Sequence, residues 1–203
     1  MSLLDRLGDS PPLPRIEDPR ARFYLDNYRT IETWAALQRE AAALLVEGLL
    51  DLAPVFEADA ERLGQRLEVL LNDNATRVIL RRPEWGTGVG IGLEWTRAVF
   101  DRQAEVSLYA GLQHDASEIA EENRRRLVEL AAVTQTRLGS AWKSGTGAWL
   151  LWRWIRPQGE SLDEQALFAH ARREVWRCWE AIAPGLDGFA DGHLSSIPPE
   201  SPR

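Results

Sequence analysis

The first strongly periodic stretch of the chain has the spacing of a helix. Apolar residues recur there at intervals of three or four, at Ile31, Trp34, Ala41, Leu45, Leu49 and Leu52. Thr30 stands before them as a helix N-cap. Pro54 has no amide hydrogen and is predicted to end or kink this helix. A second helical stretch is predicted over residues 55–71, so that residues 23–74 form a helical N-terminal part.

Beyond residue 75 the pattern changes to the alternation of strands. Four strands are predicted, at residues 76–82, 89–97, 105–113 and 148–156. In the second of them, every other residue from Val89 to Trp95 is apolar, and Gly90, Gly92 and Glu94 lie on the opposite face. Helices are predicted at 117–138 and 162–183. The sequence therefore predicts an α+β fold, in which helices pack on one face of a mainly antiparallel sheet of about four strands.

The two ends of the chain differ in composition from its middle. Residues 1–22 are rich in proline and predict an extended arm, and residues 191–203 predict a disordered tail. Residues 23–190 are expected to form a single domain. Neither a long apolar run nor a signal-like segment is found, and Cys178 is the only cysteine, so we expect a cytoplasmic protein. The helical spacing around Cys178 predicts that it is buried and inert.

Composition adds two observations. Lys143 is the only lysine, and the 23 arginines that accompany it are typical of a GC-rich bacterial genome. The nine tryptophans are an unusual number for 203 residues. Because an indole buries a large apolar surface and also carries a polar N–H, this content indicates either a heavily aromatic core or a binding face.

The common nucleotide and metal motifs are incomplete in this chain. The alternating glycines from Gly86 to Gly92 lead into a strand, whereas a dinucleotide loop leads into a helix. They instead predict a hairpin turn that leads into a strand, whose glycine face a helix or a neighbouring backbone approaches closely. Trp142 stands where a phosphate loop needs a glycine before Lys143, and the three histidines share no ligand spacing. No cofactor or metal is predicted.

Two carboxylates on neighbouring predicted strands carry the only catalytic hypothesis. Metal-dependent nucleases of the PD-(D/E)XK type place an acid on one strand and a Glu-x-Lys on the next, and the two acids hold Mg²⁺. Here Glu94 and Glu105 occupy comparable strands, but neither has the lysine beside it. A divergent nuclease that uses these two residues is therefore kept as an alternative.

The strand at 148–156 is the best candidate for a binding function. Simple alternation places Trp152 and Trp154 on one face with Leu150, and Trp149 on the other face with Leu151, Arg153 and Ile155. Nucleic-acid-binding sheets expose aromatic residues beside basic ones. The candidate binding residues are Trp149, Trp152, Arg153, Trp154, Lys143, Arg81 and Arg82, and Arg77 and Arg156 are further possible cations.

Against this interpretation stands the net charge of −7, which disfavours binding to a polyanion. The favoured interpretation is accordingly that the tryptophans of this strand belong to the core. There they would meet Trp176 and Trp179 of the last helix.

The order of these elements resembles a known kind of domain. The residues that carry the resemblance are Arg82-Pro83-Glu84-Trp85, the strand from Val89 to Trp95, the strand Trp149-Leu150-Leu151-Trp152-Arg153-Trp154, and a last helix that contains tryptophan. Together they resemble the small α+β domain that follows the nuclease domain in uncharacterised bacterial PD-(D/E)XK-related proteins. The resemblance covers about the last 60% of the chain, and it implies a non-catalytic part of a DNA-handling or phage-defence system.

We therefore expect a noncatalytic interaction module, an accessory subunit of a bacterial defence or DNA-handling complex. Its expected partner is a protein or a second copy of the chain, with nucleic acid reached through that partner and no membrane contact. An acidic mimic of nucleic acid that inhibits a DNA-binding enzyme is a further alternative. The mixed charges of the helix at 117–138 argue against such a mimic.

Overall fold

The structure is a computed structural model that describes residues 17–72, 76–86, 88–100, 105–115, 117–157 and 162–190, with the backbone alone for residues 96–98, 189 and 190. Most of the predicted arm and the whole predicted tail lie outside these residues. The chain divides into two compact units, with the boundary between Ala41 and Ala42. This boundary falls inside a helix and differs from the predicted domain start at residue 23.

Helix α1 (Pro19–Leu50) begins well before the predicted N-cap at Thr30. The Asp18 carboxylate accepts hydrogen bonds from the backbone amides of Arg20 and Ala21, at 2.8 and 2.9 Å. Asp18 is thus the N-cap, and Pro19 suits the first helical position because its fixed φ is already helical. The prediction of an extended arm is wrong for residues 19–22. In the first unit the helix exposes Phe23, Trp34 and Leu37.

Helix α2 (Leu52–Arg62) follows after Asp51, and Pro54 lies in its first turn. Its predicted continuation to residue 71 is wrong. Gly64 adopts a φ of +64°, which a side chain rarely tolerates, and so the helix ends there. Residues 68–71 form a strand instead, because they pair with the next strand of the sheet.

The second unit contains an antiparallel sheet to which the described residues contribute six strands. These are β1 (Glu68–Leu71), β2 (Arg77–Arg81), β3 (Val89–Phe100), β4 (Val106–His114), β5 (Lys143–Ser144) and β6 (Trp149–Ile155). Their spatial order is β1-β2-β3-β4-β6-β5. The predicted α+β class is confirmed, but the sheet is larger than four strands. The two additional strands, β1 and β5, are short and lie at the edges.

Helices cover one face of this sheet. The two long ones are α3 (Glu121–Leu138) and α4 (Glu164–Ala190). The core that they enclose includes strand residues at alternating positions, among them Val78, Leu80, Ile91, Leu93, Trp95, Leu108, Ala110, Leu112, Leu151 and Ile155. The predicted inward face of β3 is thus confirmed. Cys178 is fully buried on α4, as its helical spacing predicted.

Glycines on β3 and β4 allow neighbouring backbones to come unusually close. A Cβ atom at Gly92 would lie 2.0 Å from the carbonyl oxygen of Val78, and one at Gly111 would lie 1.9 Å from that of Leu151. The expectation of a close approach along the glycine face of this strand is confirmed at Gly92. None of the described helices combines the length and the apolar character that a membrane span requires.

Candidate functional site

A β-bulge in β6 decides which side chains share the sheet face opposite the helices. The register pairs Leu112 with Leu151 and then Gln113 with Trp149, so that Leu150 is an extra residue on β6. Because of this extra residue, side chains that precede Leu150 in β6 point to the opposite face from the one that simple alternation predicts. Trp149 therefore lies on the same face as Trp152 and Trp154, and its predicted place on the opposite face is wrong.

Tyr109 of β4 completes this group. It pairs directly with Trp154 in the neighbouring strand, and all four aromatic side chains are partly exposed. We call Tyr109, Trp149, Trp152 and Trp154 the aromatic face. The ring of Tyr109 packs edge to face against those of Trp149 and Trp154, with centroids 4.7 and 5.6 Å apart and planes at 81° and 83°. The rings of Trp152 and Trp154 are also perpendicular, at 5.7 Å and 84°.

The four rings line a cavity of about 210 Å³ that is open to solvent on one side. A second and more polar cavity of about 510 Å³ lies around Arg77, Gln113, His114, Asp115, Arg124 and the 146–148 backbone. Arg77 lines this second cavity, and its guanidinium donates both to Gln113 and to a carboxylate that also accepts from two side chains of the aromatic face.

That carboxylate is Glu94, which is only 15% exposed. One of its oxygens accepts from Tyr109 Oη and Trp149 Nε1, each at 2.8 Å, and the other accepts from Arg77 Nη2 at 2.7 Å. Burial, and then the hydrogen bond to Glu94, raise the pKa of Tyr109. The phenol therefore stays protonated and remains a donor. Glu94 thus holds two of the four rings in place.

Two cations lie over the outer rings of the aromatic face. Lys143 Nζ is 5.1 Å from the ring centroid of Trp152, and the guanidinium of Arg156 is 5.4 Å from that of Trp154. Both separations are within the range of cation–π attraction. Arg156 also pairs with Glu105. Within the described part of the chain, Lys143 has no carboxylate partner.

The favoured interpretation of the tryptophans in β6 as core residues is wrong. Trp176 and Trp179 lie on the helix side of the sheet, where Trp176 contacts Phe56 and Trp179 packs on Trp85, with ring centroids 4.9 Å apart. The buried core has its own indoles, at Trp85, Trp95, Trp142 and Trp179. Alternation does not separate the two sets of tryptophans, because an indole suits both a core and a half-exposed surface.

Three of the predicted binding arginines lie away from the aromatic face or are already paired. Arg153 points to the helix side, where it pairs with Glu174 at 2.8 Å. Arg82 donates to Asp187 and Gln65 beside α4. Arg81 pairs with Glu68 on β1. Of the seven predicted binding residues, the structure brings together Lys143, Trp149, Trp152 and Trp154, and their binding role stays a prediction.

Glu105 is held by Arg156 at the end of the sheet, and Glu94 accepts three hydrogen bonds within it. Among the residues that the structure describes, no group of three or more His, Cys, Asp or Glu side chains is placed to hold a metal ion. The catalytic alternative gains no further ligand from the fold.

Sequence reasoning missed Tyr109 and the role of Glu94 beneath the rings. Tyr109 lies between the buried residues Leu108 and Ala110. By alternation it shares a face of β4 with Gly111 and Gln113, the face that does not point to the core. Glu94 lies on the corresponding face of β3, directly opposite Tyr109. Pairing β3 with β4 so that their core faces match would place these two residues side by side.

Fold and site together define an α+β domain whose sheet carries a cluster of partly exposed aromatic side chains on the face opposite its helices. Comparison with protein-family models, with curated proteins and with solved structures finds no match for this chain.

Proposed function

We propose that this chain is a noncatalytic interaction module and that the aromatic face is its binding surface. The observation that carries the proposal is that four large aromatic side chains share one face and remain partly exposed. The core does not include them. Aromatic residues grouped on a surface are typical of binding sites, because each buries a large area when a partner covers it.

The aromatic face is ordered before any partner binds. Glu94 fixes Tyr109 and Trp149 by hydrogen bonds, and edge-to-face ring contacts hold Trp152 and Trp154 against Tyr109 and each other. A binding surface that is already ordered loses little conformational entropy when it is covered. This supports a role in recognition.

The state of Glu94, one of the two candidate catalytic acids, also supports a noncatalytic role. The charge of Glu94 is balanced by Arg77, and its oxygens already accept three hydrogen bonds. Such a carboxylate positions its neighbours and has little remaining capacity to bind a metal or a water molecule.

The assignment to a bacterial defence or DNA-handling complex rests on the resemblance to the domain that accompanies PD-(D/E)XK-related nucleases. As an accessory subunit of a bacterial defence or DNA-handling complex, the chain would also contact a protein partner or a second copy of itself. The polar rim around the rings, with Lys143 and Arg156, is compatible with a surface that is also exposed to water when free.

Photo-cross-linking in the native host tests the proposal. Lys143→p-benzoylphenylalanine places the cross-linker beside Trp152 and removes none of the four rings. Val133→p-benzoylphenylalanine is the matched control, because Val133 is an exposed apolar residue (46%) on helix α3. After irradiation, covalent adducts are separated and the attached macromolecule is identified by mass spectrometry.

We expect a defined adduct from position 143, of protein or nucleic acid, that is absent from position 133. An adduct that disappears when Trp152→Ala and Trp154→Ala are added assigns binding to the aromatic face. No adduct from position 143, or equal adducts from both positions, contradicts the proposal. Components of a DNA-handling complex among the adducts would support the finer assignment, and unrelated proteins would contradict it.

A further inference from the structure

The orientation of the rings restricts what the aromatic face can bind. Trp152 and Trp154 are perpendicular, and both Trp149 and Trp154 are nearly perpendicular to Tyr109. Planar groups that stack on such rings are themselves turned relative to one another. The bases of a duplex are parallel, whereas unpaired bases are free to splay apart and stack singly on aromatic side chains. The geometry therefore fits unpaired bases better than a duplex.

The cations beside the rings distinguish between two kinds of ligand. An aromatic pocket also suits a quaternary ammonium group. Here, however, Lys143 and Arg156 already lie over Trp152 and Trp154. A further cation among these rings would be repelled by both. The same two side chains favour a ligand that joins planar rings to negative charge.

The polar cavity next to Trp149 could accommodate that negative charge. Arg77 and Arg124 both line it, together with the polar side chains of Gln113 and His114, against one carboxylate, Asp115. Arg124 donates a hydrogen bond of 2.7 Å to the carbonyl oxygen of Thr146, and its other terminal nitrogen lies 3.6 Å from Glu121. Guanidinium groups are frequent ligands of phosphate. An aromatic surface and a cavity lined by two arginines thus adjoin on β6 and the loop before it.

We infer that the aromatic face binds the unpaired bases of a single-stranded nucleic acid, with the backbone phosphates directed toward Lys143, Arg156 and the cavity of Arg77 and Arg124. The inference rests on the proposed function and names the chemistry of its ligand. Stacking contributes most of the affinity. The electrostatic contribution is small, because Arg77, Arg124 and Arg156 already face carboxylates and the net charge is −7.

Fluorescence anisotropy with labelled oligonucleotides tests this inference. The probes are oligothymidylate and oligouridylate of about 12 nucleotides, close to the site sizes of other single-strand binders. A DNA duplex of equal length is the third probe, and phenyltrimethylammonium, followed by tryptophan fluorescence, is the fourth. We expect both single strands to bind at least about tenfold more tightly than the duplex. A preference between the first two probes identifies DNA or RNA as the better ligand.

Substitutions locate the binding. Trp152→Ala and Trp154→Ala are each expected to weaken binding by about tenfold, since stacking on one aromatic ring contributes roughly that factor or more. Trp152→Phe keeps a stacking surface and should retain most of the affinity. The control is Trp34→Ala, because Trp34 is an exposed tryptophan (67%) on helix α1 outside the aromatic face. Circular dichroism melting curves show whether each variant is folded.

The salt dependence is a second readout. Each phosphate contact contributes about −0.7 to the slope of log K against log salt for a single strand. With one or two effective contacts we expect a slope of about −0.7 to −1.4 between roughly 50 and 200 mM salt. A steep slope with equal duplex binding would indicate nonspecific charge attraction and overturn the inference.

Three further outcomes also overturn it. The first is no binding of either single strand, the second is equal loss in Trp34→Ala and Trp154→Ala, and the third is binding of phenyltrimethylammonium alone. If position 143 still cross-links to a protein while the oligonucleotides fail, only the nucleic-acid ligand is excluded. If the cross-link also fails, the proposed function fails with it.

Discussion

The hydrogen-bond network around Glu94 makes a quantitative prediction for Glu94→Gln. The wild-type carboxylate accepts from Arg77, Tyr109 and Trp149. Glutamine has nearly the same size but only one acceptor oxygen. If that oxygen stays with Tyr109 and Trp149, the amide NH₂ faces Arg77. If the amide turns over, the two ring donors face NH₂ instead.

The expected loss of stability follows from these two orientations of the amide. Either orientation loses at least one hydrogen bond to a charged group, which contributes about 1.5–3 kcal/mol when buried. Arg77 is 30% exposed, so water compensates in part. We expect a loss of about 1–2 kcal/mol in the free energy of unfolding. With a urea m-value near 2 kcal/mol/M, the midpoint falls by about 0.5–1 M.

Urea unfolding followed by far-ultraviolet circular dichroism measures this shift. The control is Glu122→Gln, which removes an exposed ion pair with Arg126 on helix α3. Such pairs contribute less than about 0.5 kcal/mol. If the midpoint of Glu94→Gln falls no further than that of Glu122→Gln, Glu94 does not hold the aromatic face as described.

Three other predictions concern the second unit. Gly92→Ala should destabilise the fold by about 3 kcal/mol or more, because its Cβ would lie 2.0 Å from the Val78 carbonyl oxygen. The control is Gly147→Ala, whose Cβ would meet no atom within 4 Å and which should melt like the wild type. Equal melting temperatures of the two variants would contradict the close approach of the strands. The hydrogen bond from Arg172 holds the pKa of Asp59 below its usual value, and Trp176 and Arg62 add to this effect. The charged form of Asp59 therefore stabilises the fold above a pH of about 3.9. This stability is lost as the pH falls through the lower pKa of the folded state. Asp59→Asn should therefore unfold at lower urea than the wild type near pH 6, with a gap that narrows toward about pH 3, and a constant gap would refute the assignment. Burial raises the pKa of Cys178, so a thiol-specific chromogenic disulfide should label it only as the chain unfolds, and rapid labelling in native buffer would be inconsistent with its packing.

Long periodic segments could be predicted from the sequence, and short or irregular ones could not. The alternation in β3 and the apolar stripe of α4 identify their buried faces because both patterns continue over several residues. Strand β5 has two residues in a stretch rich in glycine and serine, and no periodicity is visible at that length. The start of α1 is ambiguous in the sequence, because a proline-rich stretch predicts an extended arm whereas Asp18-Pro19 is also a helix-start pattern.

The candidate site shows a different limit of prediction from sequence. The composition of β6 identifies it as an aromatic strand, but it does not determine the faces on which the residues lie. Alternation assumes that every residue of a strand has a partner, and Leu150 has none of its own. The partners of Trp149 and Trp154 come from β3 and β4, distant in the sequence. Tyr109 and Glu94 could only be joined to them by the register of three strands.

The extra residue in β6 also affects how relatives of this chain could be recognised in genomes. In a regular strand, three aromatic residues on one face are spaced i, i+2, i+4. In this chain the spacing is i, i+3, i+5, at Trp149, Trp152 and Trp154. The loss of one codon at Leu150 would restore regular spacing and leave the three rings on the same side. Divergent relatives are thus expected in two length classes, and an alignment that forbids a gap inside this strand would separate them.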